Sequence, residues 1–161
     1  RLHFRESAGS APTSPRDGPH GTVLRDLARA RGVLARVVFA GRVGAPDLPA
    51  HYGLATLFVQ PSRATGRYDG LEGFGLTYLE AASFGVPSVA GRSGGVPEAI
   101  AEGQSGLLVP PEDPDAVAVA VERLLSHPDE LRRLSDGARR WAAAHPWETS
   151  ARCLRSLGNG A

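Results

Sequence analysis

The 161-residue chain contains no lysine and no methionine, so all 18 of its permanently basic side chains are arginine. Its single cysteine, Cys153, excludes an internal disulfide, and the nearest histidine, His145, is not spaced for a metal knuckle. Such cysteine usage fits a reducing, cytoplasmic setting. No apolar run approaches the roughly 20 residues that a membrane-spanning helix needs. Net charge is scarce too: 18 basic against 17 acidic residues leave +1, which points neither to nucleic acid nor to an anionic membrane surface. Any anion must therefore be held locally. There is no positively charged, apolar leader, and the first residue is Arg1, so the sequence reads as starting at a boundary with something upstream missing.

What is present is the composition of a globular domain, 42% hydrophobic and 22% charged, long enough for one core. Residues 1–15 read as an irregular or disordered opening, 16–157 as the domain and 158–161 as a tail. The Ser-, Pro- and Gly-rich stretch over 8–21 holds neither helix nor ladder, and residues 2–4 make at best a poor strand. Beyond it, short β-rich runs bounded by glycine and proline alternate with amphipathic stretches. Strands are predicted at 37–41, 56–60, 87–91 and 106–109. Helices are predicted at 22–31, 46–53, 75–84, 96–102, 114–126, 128–144 and 147–157. The strands lack polar alternation, as expected when both faces of a parallel sheet are covered. The fold class is therefore α/β, a Rossmann-like parallel sheet with helices on both faces. Proline follows Asp113 and His127 at the first position of two helices, and Val117, Val121, Leu124 and Leu125 form one expected buried stripe.

The most informative segment runs from Asp69 to Pro87. Gly73 and Gly75 stand immediately before a helix, where free N–H groups and the positive end of the helix dipole make an anion site. It follows a strand ending near Gln60, where open α/β sheets bind ligands. Glu72 and Glu80 frame this bend. A carboxylate can accept from two vicinal sugar hydroxyls; equally, Glu72 can cap the helix and Glu80 can be a solvated surface acid.

With the intervening Gly73-Phe74-Gly75-Leu76-Thr77-Tyr78-Leu79, the pair resembles the glutamate, seven residues, glutamate signature of glycosyltransferase family 4. Pro61-Ser62, Phe84-Gly85-Val86-Pro87, Gly94-Gly95-Val96-Pro97-Glu98, Gly106 to Pro111 and Asp113-Pro114 follow in that family's order. Arg16-Asp17-Gly18-Pro19 and Val38-Phe39-Ala40-Gly41-Arg42 are similar to its earlier landmarks, so the resemblance covers about 16–150. It implies the carboxy-terminal, donor-binding half of a retaining GT-B transferase. The stretch from Pro61 to Gly75 is similar to mannosyltransferases acting on phosphatidylinositol or related lipids.

The resemblance implies roles residue by residue. Glu72 is the catalytic-site acid on the donor sugar, and residues Gly73, Phe74, Gly75, Leu76 and Thr77 bind sugar and diphosphate. Glu80 holds ribose, Arg42 and Val43 lie by the nucleobase, and Gly94-Gly95 lets backbone approach the cleft or makes an ordinary turn. No cofactor and no metal are implied; the donor is a nucleoside-diphosphate hexose such as GDP-mannose or UDP-glucose. The partner implied is an amino-terminal acceptor-binding domain, and lipid acceptors leave room for peripheral membrane association of the complete enzyme. Without that domain, and without the lysine that family members pair with an arginine, no turnover is expected from this chain alone. The alternative is a non-catalytic interaction module or decayed fragment that binds no nucleotide. The Asp113-Pro114-Asp115 pattern reads as helix capping rather than a metal site, His20 and His51 as ordinary histidines, and Ser83 lacks a nucleophile elbow.

Overall fold

The computed structural model describes residues 2–5, 21–63 and 73–146. The disorder expected across most of 8–21 and the helix expected at 147–157 lie outside them. Contacts divide the chain into two compact units, Arg1–Pro49 and Ala50–Ala161, where the sequence suggested one core. Each unit carries its own parallel sheet. Strand pairing is long-range in sequence and leaves no local signal of where one sheet stops.

In the first unit β1 (Leu2–Arg5) pairs in parallel with β2 (Val37–Gly41), with Leu2 opposite Val37 and Phe4 opposite Phe39. The weak apolar opening is thus a strand. A parallel pair needs a crossover, and α1 (Gly21–Ala30) supplies it. Gly32, at φ +67°, ends this helix: its N–H reaches Arg29 O at 3.0 Å while Val33 N–H reaches Ala28 O at 2.9 Å. Arg25 places its guanidinium 4.3 Å from the centre of the Phe39 ring, tying helix to strand.

The second unit holds β3 (Phe58–Gln60), β4 (Ser88–Gly91) and β5 (Gly106–Val109), all parallel with β4 central. Two of the predicted strand ranges match and two are trimmed at their starts. Side chains alternate across β4, and both sides are covered. Ala90 packs with Tyr78 of α3 (Leu76–Ser83) and Val96 and Ala99 of α4 (Val96–Ala99). Val89 packs with Ala120 and Leu124 of α5 (Pro114–Ser126) and Leu134 of α6 (Pro128–Ala144). Leu124 and Leu134 are fully buried, and each such burial contributes about 1.5–3 kcal/mol.

Helix α6 also closes the amino ends of these strands. Ser135 Oγ donates to Gly85 O at 2.6 Å, Arg133 to Gly103 O at 2.8 Å and Trp141 Nε1 to Ala99 O at 2.9 Å, so carbonyls of two turns and of the last residue of α4 gain donors. Three expectations are corrected here. Leu125 is exposed, because the buried stripe of α5 runs through Ala120 and Leu124 instead. The helix expected over 96–102 stops at Ala99: Ser105 Oγ accepts from Ala101 N–H, and Ala101 O takes the amides of Gln104 and Ser105, which turns the chain toward β5. The segment predicted at 46–53 is a 3-10 turn, Ala45–Asp47, followed by α2 (Leu48–Leu54).

Candidate functional site

The carboxyl ends of the second unit's strands are crowded with backbone. A Cβ on Gly91, the last residue of β4, would collide with Ser62 O, and would meet Pro111 Cβ at 2.8 Å. The segments following β3, β4 and β5 therefore converge there, with no room for a side chain. Beside them the chain re-enters at Gly73, bends at Gly75 and begins α3 at Leu76, as the glycine spacing predicts. Gly75 is left-handed at φ +86°, ψ +55°, a conformation that favours glycine, and it caps α3 without a side chain. Its first turn carries no acid and no side-chain cap, so the positive dipole end is not neutralised from within.

This bend is braced on two sides. A Cβ on Gly95 would overlap the carbonyl oxygen of Gly73, so the glycines before α4 allow one backbone strand to lie directly on another. Gly94 turns the chain into that contact at φ +55°. The turn at Gly94-Gly95 thus lies with its backbone against the bend. On the other side Gln60, at the end of β3, accepts from Tyr78 OH through its backbone carbonyl at 2.6 Å. Its side chain accepts from Thr77 Oγ1 at 3.3 Å and donates to Ser62 Oγ at 3.0 Å. Tyr78 is fully buried and Phe74 half-buried against the same cluster, so both are core aromatics.

Glu80 stands in the second turn of α3 and is exposed. It accepts a hydrogen bond of 2.8 Å from Tyr52 OH at Oε2. Gly73, Phe74, Gly75, Leu76, Thr77 and Glu80 are therefore gathered in the second unit. Glu72 lies outside the described residues. Arg42, exposed, and Val43, half-buried, follow the end of β2 and belong to the first unit. Asp113 Oδ1 accepts from the amides of Asp115 and Ala116 at 3.0 Å each, so the capping reading of that motif holds. Sequence reasoning missed Tyr52; the one local clue was an aromatic in a short, otherwise weakly apolar helix.

An amino-terminal helix end presents amides suited to phosphate, and a carboxylate one turn further along presents acceptors suited to hydroxyls. Known proteins carry the same arrangement of elements. The chain is 40% identical over 144 residues to the GDP-mannose-dependent alpha-(1-6)-phosphatidylinositol monomannoside mannosyltransferase of Mycolicibacterium smegmatis, covering 89% of this chain and 38% of that protein. It therefore spans well under half of that relative's length. Sucrose-phosphate synthase from Thermosynechococcus elongatus superposes with a TM-score of 0.80 at 30% identity, over 99% of this chain and 39% of that one. Anabaena HepE, solved in complex with UDP, superposes with a TM-score of 0.77 over 98% of this chain and 48% of that one; at 19% identity the likeness speaks for fold alone. The architecture is thus the Rossmann-like α/β arrangement of GT-B glycosyltransferases, as expected. A match across residues 8–141, most of its length, makes the chain a member of the glycosyl transferases group 1 family.

Proposed function

We propose that this chain is the donor-binding part of a retaining glycosyltransferase of family 4, taking a nucleoside-diphosphate hexose, with GDP-mannose ahead of UDP-glucose. The observation that carries the reading is the start of α3 on the left-handed bend at Gly75, with Glu80 one turn beyond it. The name of the 40% identical relative, which specifies GDP-mannose, favours that base.

In this reading the diphosphate lies at the amides of residues 74–77. As the bond to the sugar breaks, negative charge grows on the leaving diphosphate, and donors already aimed at it lower the barrier. The sugar hydroxyls are assigned to Glu72 and those of ribose to Glu80. No metal is required, because the amides and dipole provide the positive field. The chain has no lysine to complete the arginine and lysine pair of the family, so that part of the field is weaker or comes from elsewhere. Transfer needs a second substrate held in line, which we assign to an amino-terminal acceptor-binding domain.

Thermal unfolding in the presence of GDP, UDP or ADP tests this. A ligand at a hundred times its dissociation constant stabilises by about 2.7 kcal/mol, a readily measured rise in midpoint. GDP is expected to give the largest rise, and Glu80→Ala to abolish most of it. No rise with any of the three would overturn the reading in favour of a non-binding module.

A further inference from the structure

Tyr52 belongs to α2, distant in sequence from the bend, yet its hydroxyl meets Glu80 Oε2 at 2.8 Å. Tyr52 is only 7% exposed. It stacks on Phe84, with centroids 5.8 Å apart and planes 23° from parallel, and meets Phe58 edge-on at 6.0 Å. Phe58 in turn sits edge-on to Tyr78 at 5.6 Å. The phenol is thus held between rings on β3 and at the end of α3, and its oxygen has a fixed place. Glu80, by contrast, is an exposed side chain with three torsions, which would otherwise wander among rotamers.

We propose that Tyr52 is a positioning residue, its buried phenol holding Glu80 Oε2 so that Oε1 is presented already oriented to a pair of vicinal hydroxyls on the bound nucleotide's ribose. This rests on the ribose role proposed above for Glu80. A carboxylate has about four lone-pair sites, so a bond from Tyr52 leaves capacity for two sugar hydroxyls. A donated bond also draws the carboxylate into one rotamer before the ligand arrives, and ordering completed in advance is not subtracted from affinity.

The test compares dissociation constants of GDP and UDP with those of their 2′,3′-dideoxy forms, by titration calorimetry on this chain, Tyr52→Phe, Glu80→Gln and the double variant. Tyr52→Phe keeps the ring stack and removes only the hydroxyl. The unaltered chain should prefer the ribose form roughly tenfold or more, as expected for hydroxyls bonded to a charged acceptor. Tyr52→Phe should shrink that preference about threefold to tenfold with little change for the dideoxy form, and the double variant should lose no more than Glu80→Gln. Equal weakening of ribose and dideoxy forms, or an unchanged preference, overturns the positioning role alone. An unaltered chain that binds both forms equally overturns the ribose role of Glu80 and this inference with it. One that binds neither overturns the donor-binding reading itself.

Discussion

Gly95 has an ordinary φ of −81°, so an alanine there would suffer no torsional strain; what forbids it is the carbonyl of Gly73. Gly94 is the reverse case, at φ +55°, where a side chain is strained whatever space surrounds it. Gly95→Ala should therefore push the 73–74 backbone away and lower stability by about 1–3 kcal/mol, the range for forcing atoms into a packed site. Because the displaced segment leads into the bend at Gly75, nucleotide-induced stabilisation should fall as well. Gly94→Ala should cost about 1 kcal/mol of stability while leaving the nucleotide response closer to normal. Thermal midpoints of both variants, with and without GDP, check this; equal nucleotide responses would show that the glycine contact does not position the bend. The doubled glycines were plain in the sequence, but their partner was not, since a contact between residues 73 and 95 has no local pattern. The same holds for Tyr52 and Glu80: the glutamate was legible from its spacing to the bend, whereas the phenol that meets it comes from a different element.

Helix ends were the most legible feature of the chain, because the groups that stop a helix are neighbours in sequence. Asp113 and the prolines at 114 and 128 locate α5 and α6 to the residue. Gly85 ends α3 with the same bond pair as α1, its N–H to Ala82 O at 2.8 Å and Val86 N–H to Ala81 O at 3.1 Å. The early stop of α4 was illegible for the opposite reason, since a serine side chain beyond the helix decides it. Between α5 and α6 the geometry makes a titratable clasp. Arg123 reaches Glu130 through two bonds, Nε to Oε2 at 3.0 Å and Nη2 to Oε1 at 2.6 Å. That guanidinium hydrogen bond is the main cause holding the Glu130 carboxyl below its ordinary value, with the charges of Arg123, Arg133 and His127 adding to it. A carboxyl lowered in the folded state adds stability that is complete above the ordinary glutamate value, about 4.3. That stability disappears as pH falls from there through the lowered value. Unfolding measured between pH 7 and pH 3 should accordingly show the unaltered chain losing more stability than Arg123→Ala below about pH 4.3. Parallel losses would mean the clasp contributes nothing across that window.

At the scale of the whole molecule, the two units differ in what lies beneath their strands. Among the described residues, the two clusters of buried apolar side chains sit in the second unit, where β4 is covered on each face and all of its residues are buried. In the first unit β2 is half-buried along its whole length and pairs with β1 in a two-stranded sheet. Two strands alone are marginal in water, whereas three strands with packed faces sustain themselves. The parallel α/β class was legible because apolar runs and helical periods alternate, while the uneven depth of the cores was not, since it depends on which helices pack where. Opening free energies should follow that depth. Amide hydrogen exchange should find the amides of Val89 and Ala90 among the slowest, exchanging only when the second unit opens as a whole. Those of Val38 and Phe39 should exchange faster, through an opening that leaves β4 protected. Adding GDP should slow exchange at Leu76 and Thr77 at the start of α3, where the proposed diphosphate would sit. If β2 proves as protected as β4, burial does not govern the order of opening, and a partner for the first sheet must be sought.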